Sequence, residues 1–100
     1  MEIGNMKDYA KVVIEKKGLS SLQESINIGK QVMERKLVAY KRKIEKFEQV
    51  RGMDTETFMV SFNKGELGDN KEWLEWDHAA NVASLLNRKI HDLENLTYEY

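Results

Sequence analysis

The chain has no cysteine and no proline among its 100 residues. Without cysteine there is no disulfide, no thiolate metal site and no cysteine nucleophile. The composition is compatible with the cytoplasm, where we expect the protein. Apolar runs are short, as in Val12-Val13-Ile14, whereas a membrane span needs about 18 residues and a signal sequence about 7–15. We therefore expect no membrane association.

Charge is what the chain has in abundance. Charged residues make up 33% of it, above the roughly 25% of an average globular protein. Residues 1–51 hold 12 basic and 7 acidic side chains, a balance of +5, and residues 52–100 hold 4 and 10, a balance of −6. The halves would attract each other within one chain or across a dimer, and each could also meet a partner of opposite charge.

The length predicts one domain, with an N-terminal segment at 1–18, expected to be flexible, a strand or a short helix, ahead of a helical hairpin domain at 19–100. Within the segment, the β-branched run at Tyr9–Ile14 favours a short strand, but one or two helical turns fit equally well. A strand this short would need a second copy or a partner to pair with. Gly18 then breaks the chain.

The first helix is predicted to run from a serine cap to about Val50. Ser20 or Ser21 would supply the N-cap oxygen, with Gln23 or Glu24 at capping-box spacing. A helix of about 30 residues would be ~45 Å long, which implies a hairpin or a coiled coil. Its apolar residues follow one face, from 33 onward in steps of 4 and 3: Ile26, Met33, Leu37, Tyr40, Ile44 and Phe47.

Gly52 should end the first helix, and Asp54 should cap a short helix over Thr55–Lys64. The turn Gly65–Asn70, with Asp69 or Asn70 as the cap, then leads to a last helix over 71–96. Two apolar seams of similar length predict an all-α fold, a long antiparallel helical hairpin with a short helix at the bend. The second seam consists of Trp76, Ala79, Ala83, Leu86, Ile90 and Leu93.

A two-helix hairpin has a thin core and marginal stability. The uncovered side of each seam would need another subunit or a partner, so we expect the protein to work by association, as a dimeric helical bundle or as the partner of another protein. The densest basic stretch could contact phosphates of nucleic acid, although a solvated face is the ordinary interpretation of such a run. Its candidate residues are Arg35, Lys36, Lys41, Arg42 and Lys43.

No residue pattern indicates catalysis, and we expect a protein that is not an enzyme and has no cofactor. The chain has no Gly-x-Ser-x-Gly motif, no P-loop and no dinucleotide-binding motif. Glu75 and His78 form one Glu-x-x-His pair of the type found in di-iron bundles, but such a site needs two pairs and two further glutamates. We therefore predict no metal site.

Trp73 and Trp76 lie within one helical turn and have acidic neighbours. Burial of both rings against the short helix is the ordinary interpretation. Alternatively they form an aromatic hot spot with an acidic rim that suits a basic partner, or one ring lies inside and the other outside. The candidate partner-binding residues are Leu67, Asp69, Glu72, Trp73, Glu75, Trp76 and Asp77.

Several short motifs stand in a characteristic order: Gly52-Met53-Asp54, Phe58, Phe62, the turn Gly65–Asp69 and Glu75-Trp76. In this order they resemble small helical antitoxin-like proteins of archaeal and bacterial toxin–antitoxin modules. The match covers about residues 37–93, and the Gly-Glu-Leu-Gly-Asp turn is its most specific part. Residues 1–36 match no motif of such proteins, neither a ribbon-helix-helix nor a helix-turn-helix pattern.

The resemblance implies a protein that binds and neutralises a small cognate toxin, expected to be an RNase. The acidic and aromatic region Leu67–Asp77 would be the contact and would mimic the negative charge that such a toxin expects. Without a toxin, the alternative is a homodimeric helical or coiled-coil structural protein, or a DNA-associated regulator. If Tyr9–Ile14 paired across a dimer, the two-stranded ribbon could enter a DNA major groove.

Overall fold

The computed structural model describes residues 8–98. Residues 1–7 of the predicted N-terminal segment and residues 99–100 of the predicted hairpin domain lie outside this range. The described chain is all-α, and no strand occurs between 8 and 98. None of its helices is long and apolar enough to cross a bilayer. After a 3-10 turn at Lys16–Gly18 come three helices: α1 (Leu19–Arg51), α2 (Thr55–Asn63) and α3 (Lys71–Glu94).

The two long helices, α1 and α3, form the predicted antiparallel hairpin. Near the bend, Phe47 of α1 stacks on Trp76 of α3. Farther from the bend, Leu37 belongs to one apolar cluster with Leu86 and Ile90. The contact therefore moves forward along α3 as α1 is followed backward, as antiparallel packing requires.

The predicted seams form this interface within one chain. An alternation of steps of 3 and 4 keeps their side chains on one face of each helix, so both faces can be buried together. Six of the seam residues are buried: Leu37, Trp76, Ala79, Ala83, Leu86 and Ile90. Six are partly buried: Ile26, Met33, Tyr40, Ile44, Phe47 and Leu93.

Gly52 and Asp54 make the sharp change of direction between α1 and α2. Gly52 has a φ of 63°, a left-handed conformation that costs glycine little, and its backbone N–H donates to the Glu48 carbonyl at 2.8 Å. Asp54 accepts a hydrogen bond from the Thr57 backbone N–H at 2.7 Å and begins α2. Hydrogen bonds from the backbone and the side chain of Thr57 hold the pKa of the Asp54 carboxyl below its usual value.

The turn between α2 and α3 depends on two glycines. Gly65 and Gly68 have φ values of 75° and 77°, which a residue with a Cβ rarely adopts. The side chain of Asn70 then accepts a hydrogen bond from the Glu72 backbone N–H at 2.8 Å and begins α3. Of the two predicted caps, Asp69 and Asn70, the structure uses the second.

The serine cap predicted for the first helix was wrong. Neither Ser20 nor Ser21 caps α1, because the helix begins at Leu19, directly after Gly18, without a side-chain cap. The preceding 3-10 turn already starts the helical path, so both serines lie inside the first turn. In the single copy described, Tyr9–Ile14 forms neither a strand nor helical turns. The predicted strand needs a second copy or a partner to pair with, and it stays a prediction.

Candidate functional site

Five aromatic side chains gather at the bend and form what we call the aromatic junction: Phe47, Phe58, Phe62, Trp73 and Trp76. The ring of Trp76 lies nearly parallel to two others, with its centroid 4.0 Å from that of Phe58 and 5.6 Å from that of Phe47. Phe58 and Trp76 have no exposed surface at all. Stacked rings gain energy beyond the burial of their area. One stack therefore joins α1, α2 and α3.

A chain of hydrogen bonds joins the same three helices. The indole Nε1 of Trp76 donates to Oγ1 of Thr55 at 3.0 Å. The Thr55 hydroxyl donates to Oε2 of Glu48 at 2.9 Å, and the Thr55 backbone N–H donates to the same oxygen at 2.8 Å. The buried indole N–H thus has the partner it needs, and the Glu48 carboxylate, like Asp54, accepts a backbone hydrogen bond at the start of α2.

Trp73 occupies the surface of the junction and is only partly buried. One side of its ring packs on Phe58, with 5.6 Å between centroids. The guanidinium of Arg51 lies 4.6 Å from the ring centroid, a cation–π contact. Arg51 also forms an ion pair with Glu72. These contacts hold the Trp73 ring in one orientation without removing it from the surface.

The structure places the predicted partner-binding residues in different environments, and only some of them are free to contact a partner. Trp76 was predicted wrongly as a contact residue, because it is completely buried and has no surface on which a partner could bind. Glu72 is engaged with Arg51. Trp73 and Asp77 are four residues apart and therefore share one face of α3. In the preceding turn, Leu67 is partly buried and Asp69 is exposed.

Glu75 lies on another side of α3. It follows Trp73 by two positions, a rotation of about 200° around the helix. There it borders a groove of about 500 Å³ between α1 and α3, together with Lys43 and His78. Its carboxylate is 3.8 Å from the ammonium of Lys71, an exposed ion pair. A partner that contacts Trp73 would therefore meet Asp77 but not Glu75.

The basic residues predicted to contact phosphates all lie exposed on α1: Arg35, Lys36, Lys41, Arg42 and Lys43. Within residues 8–98, none of them forms an ion pair with an acidic side chain. Lys43 lies 5.2 Å from the centroid of the Tyr40 ring. The opposite net charges of residues 1–51 and 52–100 suggested ion pairs between the two halves. Within residues 8–98, Arg51–Glu72 is the one ion pair that joins them.

Sequence reasoning missed the parts that Glu48, Arg51 and Thr55 take in the junction. Each is an ordinary polar residue near the end of one helix or the start of the next. Arg51 and Thr55 are about 20 residues from their partners Trp73 and Trp76, and Glu48 is seven residues from its partner Thr55, so no common spacing connects them. The chain brings these groups together by changing direction twice, at Gly52 and in the turn with Gly65 and Gly68.

The metal alternative finds little geometric support in the described residues. Glu75 and His78 are not enclosed by other potential ligands, and no group of three or more His, Asp or Glu residues within 8–98 could hold a metal ion. The ring of His78 instead packs edge-on against Tyr40, with 6.1 Å between centroids.

The chain is an all-α helical hairpin whose bend is closed by a short third helix and an aromatic junction. Comparison with models of known protein families, with curated proteins and with solved structures found no match. Its function is therefore inferred from its own contacts, exposed surfaces and charges.

Proposed function

We propose that this chain is a non-enzymatic, antitoxin-type protein that neutralises a cognate toxin, an RNase, by direct binding. The observation that carries the proposal is Trp73, an aromatic side chain held at the surface by Phe58 and Arg51. Tryptophan is enriched among the residues that contribute most to protein interfaces. A ring that is already ordered loses little conformational entropy when it is bound.

The charges around the bend also support a basic partner. Asp77 shares a face with Trp73, and the turn before α3 exposes Glu66 and Asp69. An RNase that binds phosphates needs basic groups, and carboxylates can take the place of those phosphates. The resemblance of the Gly65–Asp69 turn to antitoxin-like proteins points in the same direction.

The thin core is a further reason to propose association. In the described chain, only seven hydrophobic side chains are buried, whereas twelve large ones are exposed. Leu74 and Leu85 of α3 are 50% and 43% exposed. Exposed apolar side chains such as these are available to contact another protein.

The test is co-expression of the chain with the product of the neighbouring reading frame, followed by size-exclusion chromatography. We expect the neighbour to be toxic alone and to co-elute with this chain. Trp73→Ala should weaken the complex by about thirtyfold, the loss expected of a hot-spot residue. Asp77→Lys should weaken it too, with helix content unchanged by circular dichroism.

Val38→Ala is the matched control, because Val38 is 48% exposed on α1, away from the junction. It should bind like the unaltered chain. A neighbour that is neither toxic nor bound would show the proposal to be wrong. So would equal affinity of the Trp73→Ala, Asp77→Lys and Val38→Ala chains for the neighbour.

The exposed basic residues of α1, which form no ion pair within the described range, favour a second candidate, a DNA-associated regulator. We expect a fluorescent DNA duplex to bind the chain at low salt and to be released as salt rises, because phosphate contacts release counterions. Arg42→Glu should weaken binding at every salt concentration, and Lys89→Glu on α3 is the control. Anisotropy that stays constant on titration with the protein would exclude this candidate.

A further inference from the structure

The open end of the hairpin, opposite the bend, carries an apolar groove of about 520 Å³. It lies between the segment ahead of α1, the first turns of α1 and the residues that follow α3. Among the side chains that line it are Val12, Ile14, Leu22, Ile26, Leu96 and Tyr98. This groove is separate from the aromatic junction and takes no part in the function proposed above.

The segment at one wall of the groove is unusually apolar for its exposure. Val12 is 80% exposed and Val13 is 96% exposed. No backbone hydrogen bond joins residues 9–14 to any other residue in the described range. Ile14 is less exposed, at 44%, and its side chain lies next to Gly18, where an added Cβ would meet it at 3.3 Å. The segment therefore offers β-branched side chains and free backbone groups at one place, which is what a strand needs to pair.

We propose that a second copy of this chain covers the groove, with residues 11–15 of the two copies paired as an antiparallel two-stranded ribbon. An isolated two-stranded ribbon is only marginally stable in water and needs an apolar surface to pack on. The groove supplies that surface once in each copy. This pairing does not depend on a toxin.

Charge selects the register of this ribbon. With Val13 opposite Val13 of the second copy, Lys11 lies opposite Glu15, and Glu15 lies opposite Lys11. Opposite charges that face each other across a strand pair are stabilising. Glu15 also pairs with Lys17 of its own chain at 3.3 Å, but both side chains are at least 76% exposed, so this ion pair holds Glu15 only weakly.

Other arrangements lose these contacts. A parallel pair in register would place Lys11 against Lys11 and Glu15 against Glu15, which is repulsive. An antiparallel pair centred on Val12 would place Lys11 opposite Val13 and form no charge pair. Centring the pair on Lys11 would bring two lysines together. Among these registers, only the one centred on Val13 places opposite charges against each other and apolar side chains against apolar side chains.

The same register also sorts the side chains by face. Successive residues of a strand point to opposite faces, so Val12 and Ile14 share one face and Lys11, Val13 and Glu15 share the other. Val12 of each copy then lies opposite Ile14 of the other, on the face that meets the groove. The charged face stays in water. Burial of Val12 and Ile14 in both copies removes apolar surface from solvent, and Val13 contacts Val13 of the second copy on the other face.

A charge exchange tests the proposal. We expect the unaltered chain to dimerise in sedimentation velocity experiments. Lys11→Glu and Glu15→Lys should each weaken the dimer by about tenfold or more, because each turns two attractive pairs into repulsive ones. The double variant K11E/E15K restores opposite charges and should restore the dimer. Lys41→Glu, an exposed lysine of α1, is the matched control and should leave the dimer unchanged.

A cysteine introduced into this cysteine-free chain tests the register directly. Val13→Cys should form an intermolecular disulfide under mild oxidation, since directly opposite residues lie within disulfide reach. Val12→Cys should react more slowly, because residues diagonally opposite are about 7–8 Å apart. Val60→Cys, at an exposed valine of α2, is the control and should form no disulfide-linked dimer under the same conditions.

Four outcomes would overturn the ribbon. One is an unaltered chain that stays monomeric at every concentration. Another is a double variant K11E/E15K no better at dimerising than either single variant. The third is a Val13→Cys chain that cross-links no faster than the Val60→Cys chain. Monomers that bind the neighbouring gene product through residues 11–15 would give the groove a different occupant and would also overturn it.

Discussion

Replacing Trp76 with alanine is expected to lower the free energy of unfolding by about 3–5 kcal/mol, the range for truncating a buried aromatic side chain. Trp76 has no exposed surface and stacks on Phe47 and Phe58. The alanine variant would lose both stacks and leave a cavity that α1, α2 and α3 all border. Because a chain of this size has a stability of only about 5–15 kcal/mol, much of the helical signal should be lost well below the normal melting temperature.

Urea denaturation followed by circular dichroism measures this effect. Trp76→Phe separates the ring from its hydrogen bond, because it keeps a stacking ring but removes the indole N–H that donates to Thr55. Its expected cost is about 1–2 kcal/mol. A Trp76→Ala chain that unfolds within about 1 kcal/mol of the unaltered chain would contradict a stabilising role for the aromatic junction.

Replacing Ala83 with glutamate is expected to prevent the hairpin from folding at neutral pH. Ala83 is 7% exposed and belongs to the apolar cluster with Leu37, Leu86 and Ile90. A carboxylate at this position would be placed between α1 and α3, in a cluster made of apolar side chains. Burial of an unpaired charge costs several kcal/mol, and the added volume would also force the helices apart.

Ser84→Glu is the control for this variant, because Ser84 is exposed and adjacent on the same helix. It adds the same charge and should change the free energy of unfolding by less than about 0.5 kcal/mol. Circular dichroism spectra and thermal melts of both variants are the measurement. If the Ala83→Glu chain unfolded cooperatively at the melting temperature of the unaltered chain, residue 83 would not be buried between α1 and α3 as described.

Much of the fold follows from local chemistry and could be predicted. The spacing of Leu37, Ala83 and Ile90 places them on apolar helix faces whatever the rest of the chain does. Gly52 and Asp54 act through their own backbone or the next few residues, so their parts in the bend were predictable. The serine cap was predicted wrongly because the 3-10 turn before Leu19 competes with it, and propensities do not decide between two local structures of similar energy.

The candidate site was predictable only in part. The sequence marks Trp73 and Trp76 as notable, but both are on one helix turn and both are apolar enough to be buried. Which ring is inside depends on where α2 packs, and that depends on the Glu48–Thr55–Trp76 hydrogen bonds. The same packing fixes Arg51 over Trp73.

The helices, their apolar seams and their glycine-dependent ends follow directly from the amino-acid sequence, because they rest on contacts between residues a few positions apart. Other features depend on how the helices pack: Trp76 is inside and Trp73 at the surface, and the apolar segment ahead of α1 is left exposed. These features involve residues far apart in sequence that meet only when the chain reverses direction, and no local pattern contains that information.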